Sequence, residues 1–301
     1  MKKTASFSTK IDLKLRDKLR EDLESQGLTF TRPPYTLFSA QKKGLTCILY
    51  ESGSLVVQGK EKEAFIEFYL EPEILQNLKY SHPELYVNLV GHIGVDESGK
   101  GDFFGPLCIA GCFAEEQGIK KLVEMGIKDS KRLSDPMILR LAKEIKASFP
   151  HTIIRLFPQK YNELYQKFKN LNYLLGWAHA TVIAELSIKT HCQDALIDQF
   201  ADKSVVENAL KKKNLSVRLE QRTHAEADPV VAAASILARE AFIEGLKILE
   251  NEINFPLPKG ASAAVSETGR KLVNTFGPDI LNKVAKTHFK TKEEILQSLN
   301  L

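Results

Sequence analysis

Apolar positions recur at helical spacing near the start of the chain. Leu15, Leu19 and Leu23 fall four apart, Asp12 stands ahead of them as a cap, and Gly27 closes the run. Strand-like stretches follow around Tyr35–Phe38, Leu45–Tyr50 and Leu55–Gln58, with Ser52-Gly53 as a hairpin turn between the last two. From Glu61 to Leu70 the pattern is helical again, with Phe65, Phe68 and Tyr69 on the apolar face. The first 80 residues therefore read as a small α+β unit in the order helix, three strands, helix. Pro72 to Pro83 is a polar, proline-interrupted stretch, which places a boundary between one domain over 1–80 and a second over 86–301.

In the second domain, the apolar strand Ile93-Gly94-Val95 runs directly into Asp96, and another apolar run, Leu107 to Phe113, follows a glycine-rich turn. Helices are predicted over Asp135–Phe149, Tyr161–Lys189 and Val230–Asn251, the last with Ala232, Ala233, Ala234 and Ala238 permitting close packing. A strand, Asp194–Ile197, lies between two of them. This alternation indicates an α/β layer with a mixed sheet flanked by helices.

Composition narrows the class without choosing a function. With 301 residues, 43% hydrophobic and 27% charged, the chain has material for two cores. No apolar run approaches the roughly 18 residues that a membrane span requires, so no membrane partner is expected. Met1-Lys2-Lys3-Thr4 is followed by polar residues rather than an apolar stretch, which argues against a signal peptide and for a cytoplasmic protein. Cys47, Cys108, Cys112 and Cys192 show no zinc-type spacing and read as reduced thiols. A net charge of +4 favours a polyanionic partner only mildly. In the first domain, any such role for Lys14, Arg16, Lys18, Arg20, Lys42 and Lys43 depends on their sharing a face.

The most informative stretch is Gly94-Val95-Asp96-Glu97-Ser98-Gly99-Lys100-Gly101-Asp102. Two adjacent carboxylates at the end of an apolar strand resist joint ionisation unless a cation neutralises them. Successive strand residues face opposite ways, so Asp96 and Glu97 can serve one cation only if the strand breaks, and Ser98-Gly99 is the expected break. Asp198 ends the run Ala195-Leu196-Ile197, again at a strand terminus. A further acidic site lies in Thr223-His224-Ala225-Glu226-Ala227-Asp228, just before Pro229, where one of Glu226 and Asp228 is expected to be a structural helix cap. Such oxygen donors suit Mg²⁺ or Mn²⁺, and two such ions would bracket a phosphodiester for in-line hydrolysis. The same stretch nearly spells an ATPase phosphate loop. However, Gly101 lacks the required hydroxyl and the two acids would repel a triphosphate.

Gly94 through Gly101 resembles the first motif of type 2 ribonucleases H, and its Gly-Lys-Gly form with Ser98 is similar to the HIII branch. Asp129-Ser130-Lys131-Arg132-Leu133-Ser134, Ile197-Asp198, and Thr223-His224-Ala225-Glu226 with Ala232 to Arg239 resemble the next three motifs in order. Phe255 to Ser262 and Lys286 to Phe289 fit the family's C-terminal part. The resemblance implies a ribonuclease H-like mixed sheet behind a small α+β TATA-binding-protein-like domain that binds substrate. It also implies Asp96, Glu97, Asp198 and Glu226 as catalytic and metal-binding acids, with divalent Mg²⁺ or Mn²⁺ as cofactor. Ser98, Gly99, Lys100, Gly101, Ser130 and Lys131 are the implied contacts to an RNA/DNA hybrid, in a protein expected to act as a monomer. Asp228 remains an alternative to Glu226, because the segment from Glu226 to Ala232 is short. His224 stands where relatives carry Lys and is read as a surface residue. Lys128, Lys131 and Arg132 form a basic cluster that suits either a phosphate backbone or a solvated loop.

Overall fold

The computed structural model describes residues 6–78, 80–81, 87–127 and 133–300. It divides into two compact units, 1–87 and 88–301.

In the first unit, β1 (Phe7–Lys10), β2 (Thr29–Thr31), β3 (Thr36–Lys42), β4 (Leu45–Tyr50) and β5 (Ser54–Gln58) form an antiparallel sheet in the order β1-β5-β4-β3-β2. Strict alternation along β4 sends Leu45, Cys47 and Leu49 into the core, against Leu19 and Leu23 of helix α1 (Arg16–Ser25). Helix α2 (Lys62–Phe65) runs on in wider, π-type turns to Leu75. The structure departs from the sequence reading in four places. Edge strands β1 and β2 are too short to show an alternation. Asp12 caps a 3₁₀ turn, Leu13–Leu15, ahead of α1. Tyr35 lies before β3 at φ 63 and is 82% exposed. Phe68 points to solvent, because wide turns shift it off the 3.6-residue apolar stripe, and the same widened turns carry the helix through Pro72.

In the second unit, β6 (His92–Ser98), β7 (Leu107–Ala114), β8 (His151–Leu156), β9 (Asp194–Asp198) and β10 (Arg218–Arg222) form a mixed sheet ordered β10-β9-β6-β7-β8. β6, β9 and β10 are parallel, and β7 runs antiparallel to both its neighbours. α3 (Glu116–Glu124) follows β7 and α4 (Asp135–Ser148) precedes β8. α5 (Pro158–Phe168) and α6 (Leu171–Thr190) fill the connection to β9, and α7 (Lys203–Lys211) leads to β10. After α8 (Pro229–Ile253), the chain ends in α9 (Ala263–Phe276), α10 (Ile280–Val284) and α11 (Lys290–Ser298). The single helix expected over Tyr161–Lys189 is two, because Lys169 turns left-handed at φ 53 and Asn170 caps a new start. Among the described residues, all four cysteines are free, three of them buried, and no helix is long and apolar enough to cross a membrane.

Two glycines set how closely helices approach this sheet. A Cβ on Gly94 would stand 2.5 Å from the Val230 carbonyl carbon of α8, and one on Gly111 would stand 2.5 Å from the Val182 side chain of α6. Gly111 pairs with Val95 and Gly94 with Cys112. α6 therefore covers the Val95 face of the sheet and α8 the Gly94 face. This alternation decides where the next two side chains of β6 go.

Candidate active site

Asp96 follows the parity of Gly94 and turns toward α8, where Ser235 hydrogen-bonds its carboxylate. Its Oδ1 also accepts the Glu97 backbone N–H at 2.7 Å. Glu97 follows the parity of Val95 and meets α6, where His179 Nε2 lies 3.0 Å from Oε2, while Lys100 Nζ stands 3.3 Å from Oε1. The expected strand break at Ser98-Gly99 comes later than the chemistry needed: β6 stays paired with β7 as far as Ser98↔Cys108. Its pairing with β9 stops sooner, at Val95↔Ile197. Beyond that point β6 is no longer paired with β9.

Asp198 closes β9 one residue past Ile197. By the parallel register it follows Asp96 onto the α8 face. Its Oδ1 accepts the backbone N–H of Ala225 at 3.1 Å, which ties the short 3₁₀ turn Ala225–Ala227 to the end of the strand. Glu226 is the next residue, half-buried, with His224 Nδ1 3.7 Å from its Oε1. His224 itself is exposed and left-handed at φ 58. Asp228 is engaged differently. Its Oδ1 accepts the N–H groups of Val230 at 2.9 Å and Val231 at 3.3 Å, and His92 Nε2 lies 3.0 Å away. Asp228 is buried as the N-cap of α8, whereas Glu226 lies partly open on the turn that Asp198 holds.

The site thus lies at the carboxyl ends of parallel strands, at the point where β6 has neighbours running in opposite senses. Among the described residues, no three His, Cys, Asp or Glu side chains converge as a preformed cation cage. Like charges without a counter-ion hold apart, and Asp96 and Glu97 leave opposite faces of one strand. Their ionisation also diverges. Burial, then the neighbouring charge of Glu97, pushes the Asp96 carboxyl up to about 6. For Glu97 burial works in the same sense, but the hydrogen bond from His179 and the charge of Lys100 outweigh it and hold the group below the usual carboxylate range. Hard oxygen donors of this kind fit Mg²⁺ or Mn²⁺, which take few carboxylates each and keep several waters.

The loop after β6 is built to be rigid. Gly99 adopts φ +88, and a Cβ there would stand 2.2 Å from the Pro106 carbonyl oxygen; Gly101 has open space around it. Asp102 Oδ1 accepts Gly260 N–H at 2.6 Å, and Phe103 N–H donates to Gly260 O at 2.9 Å. Lys286, fully buried, donates from Nζ to the carbonyls of Gly105 at 2.6 Å and Phe104 at 3.3 Å. Ser98 ends β6 half-buried. Ser130 and Lys131, with Lys128 and Arg132, lie outside the described residues. Sequence reasoning missed His179, His92, Ser235, Asp102 and Lys286 as supports of this site. The signal for His179 was a polar residue amid the apolar positions Leu174, Leu175, Ala178, Val182 and Ile183.

Burial pushes the Lys286 ammonium down to about 7, against the opposing pull of Asp102. The unfolded chain holds that proton to about pH 10.4, so it binds more protons than the native state between about pH 7 and 10, and stability rises with pH across that window. Lys286→Met should remove this dependence. Wild-type stability should gain on that of the variant from pH 7 to 9, by an amount on the order of 1–3 kcal/mol, read as a rising difference in melting temperature. Parallel melting curves for the two proteins would refute the assignment.

Comparison with known proteins shows which family the chain resembles over its length. Residues 93–292 match the family model for ribonuclease HII, and residues 6–82 match a domain of unknown function, DUF3378. Ribonuclease HIII of Protochlamydia amoebophila is 56% identical, covering 96% of each chain. Ribonuclease HIII of Chlamydia caviae is 50% identical, over 97% of this chain and 98% of that one. Among solved structures, Bst-RNase HIII in complex with Mn²⁺ superposes with a TM-score of 0.68 at 26% identity, covering 98% of this chain and 99% of that chain. Aquifex aeolicus RNase H3 gives 0.56 at 28%, over 94% and 99%. With acids at the ends of β6 and β9, a glycine-lysine-glycine loop between β6 and β7, and near full-length identity of this order, the chain belongs to the ribonuclease HIII family.

Proposed function

We propose that the chain is an endonuclease that hydrolyses the RNA strand of RNA/DNA hybrids, leaving 3′-hydroxyl and 5′-phosphate ends, and works as a cytoplasmic monomer. The observation that carries the reading is the register of β6 on β9, which brings Asp96 and Asp198 to one end of the sheet, with Glu97 beside the first and Glu226 beside the second. Asp96, Glu97, Asp198 and Glu226 are the residues that would hold divalent Mg²⁺ or Mn²⁺. When bound, such ions activate the attacking water and stabilise the leaving oxygen. Asp198 and the Ala225 N–H fix the position of Glu226, while Ser235 and the Glu97 N–H fix Asp96. Asp228 serves as the cap that starts α8.

Lys100, half-exposed on the rigid loop, supplies charge to the RNA phosphate backbone. The glycines on either side of it, with Ser98, let backbone groups come close enough to recognise the 2′-hydroxyl. Ser130 and Lys131 complete the grip, and the first unit adds to hybrid binding. The test compares an RNA/DNA hybrid with DNA duplexes and DNA junctions in Mg²⁺ or Mn²⁺. Cutting confined to the hybrid is expected, and equal cutting of all three would defeat the assignment. Lys100→Ala should weaken hybrid binding about 10-fold, the worth of one charge-assisted hydrogen bond, with metal affinity kept. Loss of metal affinity with normal hybrid binding would contradict the role given to the loop.

A further inference from the structure

His179 is the least expected residue near the acids. It sits on α6 with no solvent exposure, in the middle of an otherwise apolar face. Nε2 lies 3.0 Å from Glu97 Oε2, and Nδ1 is buried with no hydrogen-bond partner among the described residues. A carboxylate only accepts, so the shared proton belongs on Nε2, and the bare Nδ1 faces the core. Phe200, two residues past Asp198, packs its ring on the imidazole with centroids 4.8 Å apart. Lys100 Nζ stands 5.6 Å from the centre of that same ring. The end of β9 and the Lys100 loop thus both close on the Glu97–His179 pair.

A histidine kept only for packing would be better replaced by an apolar residue, because the unpartnered Nδ1 carries a desolvation cost that nothing in the core returns. Among the described residues, its one hydrogen bond is with Glu97. Without that contact, a flexible carboxylate beyond the β9 pairing could swing toward solvent or toward Lys100 alone. We propose that His179 is a positioning residue: its Nε2–H holds Oε2 of Glu97 in place, so that Oε1, which among the described residues meets only the half-exposed Lys100 ammonium at 3.3 Å, is the oxygen a divalent cation would take in its stead. Hydrogen bonds of this kind fix ligating side chains and raise metal affinity. The inference rests on the reading of Glu97 as a cation ligand.

Imidazole ¹H–¹⁵N spectra of the wild-type protein should show His179 as the Nε2–H tautomer with its proton protected from solvent. The signal should shift on titration with Mg²⁺. An Nδ1–H tautomer would overturn the proposal. Mn²⁺ affinity without substrate, read by electron paramagnetic resonance, should fall about 10-fold or more in His179→Leu and stay within about threefold in His179→Gln, whose amide can still donate. Hybrid affinity in EDTA should be unchanged in both. A folded His179→Leu protein with wild-type Mn²⁺ affinity sinks the idea. If that variant does not fold, a His179→Gln protein that binds Mn²⁺ as poorly as Glu97→Gln sinks it equally. In a Glu97→Gln background, His179→Leu should lower Mn²⁺ affinity no further. If Glu97→Gln alone leaves Mn²⁺ affinity intact, the ligand reading of Glu97 fails, and that outcome is separate from a failure confined to His179.

Discussion

Asp96→Asn should abolish hybrid cleavage while making the metal-free protein more stable at neutral pH. The activity side follows from charge. Asn keeps an oxygen to accept the Glu97 N–H and the Ser235 hydroxyl, so the local fold survives, but a neutral amide gives up several kcal/mol of cation binding and charge stabilisation. At about 1.4 kcal/mol per decade, the cleavage rate should drop roughly 10³-fold or more, with hybrid binding retained. The stability side follows from the Asp96 pKa of about 6, raised by burial and by Glu97. A raised carboxyl pKa means that the native state binds the proton more tightly than the unfolded chain, so stability falls as pH rises from about 4 to 6, and the penalty is complete at pH 7. Asn mimics the protonated acid at every pH. In EDTA at pH 7 the variant should gain on the order of 1–2 kcal/mol, discounted for partial exposure of the site, and the gain should vanish near pH 4. Urea denaturation at the two pH values measures it. Mg²⁺ should then stabilise the wild type and leave Asp96→Asn unmoved. A variant that is less stable at pH 7 without metal would show that Asp96 is not held at a cost.

Which parts of this were legible in the chain, and which were not, divides along local and non-local physics. The run Ile93-Gly94-Val95 ending in Asp96, and Ala195-Leu196-Ile197 ending in Asp198, are local patterns, and both strands stand where they were read. That Asp96 and Asp198 share a face is a property of parallel pairing between β6 and β9, which neither pattern contains. The side on which Glu97 falls was open to strict alternation. The break read at Ser98-Gly99 is where β6 ends, but it falls after both acids, because pairing with β7 keeps Asp96 and Glu97 in regular strand. Lys286 and His179 illustrate the other limit. Each is a polar residue in an apolar setting, and each acts on a partner far away in sequence, Gly105 and Glu97 respectively. Short polar-edged elements such as β1, β2 and β10 carry too few buried positions for a period to show. The division of α5 from α6 rests on a left-handed Lys169, a conformation that no glycine or proline announces.

Glu226→Gln and Asp228→Ala should fail in opposite ways, although the two acids stand two residues apart and look alike in sequence. Glu226 lies on the turn that Asp198 anchors, with part of its side chain open to solvent, so the amide should leave the fold nearly unchanged. It should cost roughly 10²–10³-fold in cleavage rate, as for loss of one group that stabilises developing charge. Asp228 accepts two N–H groups at the start of α8 and holds His92 in the core. Removing it forfeits an N-cap worth about 1 kcal/mol and strands a buried imidazole N–H at a further cost of about 1–3 kcal/mol. The sum, roughly 2–4 kcal/mol, is a large share of a domain's stability. Asp228→Ala should therefore melt well below the wild type, while its folded fraction, assayed at low temperature, cuts hybrid within about tenfold of the normal rate. The remaining loss has a route through α8, since the helix that Asp228 starts also carries Ser235 to Asp96. A stable Asp228→Ala protein with no activity, beside an active Glu226→Gln protein, would move the fourth acid from Glu226 to Asp228 and would require the cap to have opened.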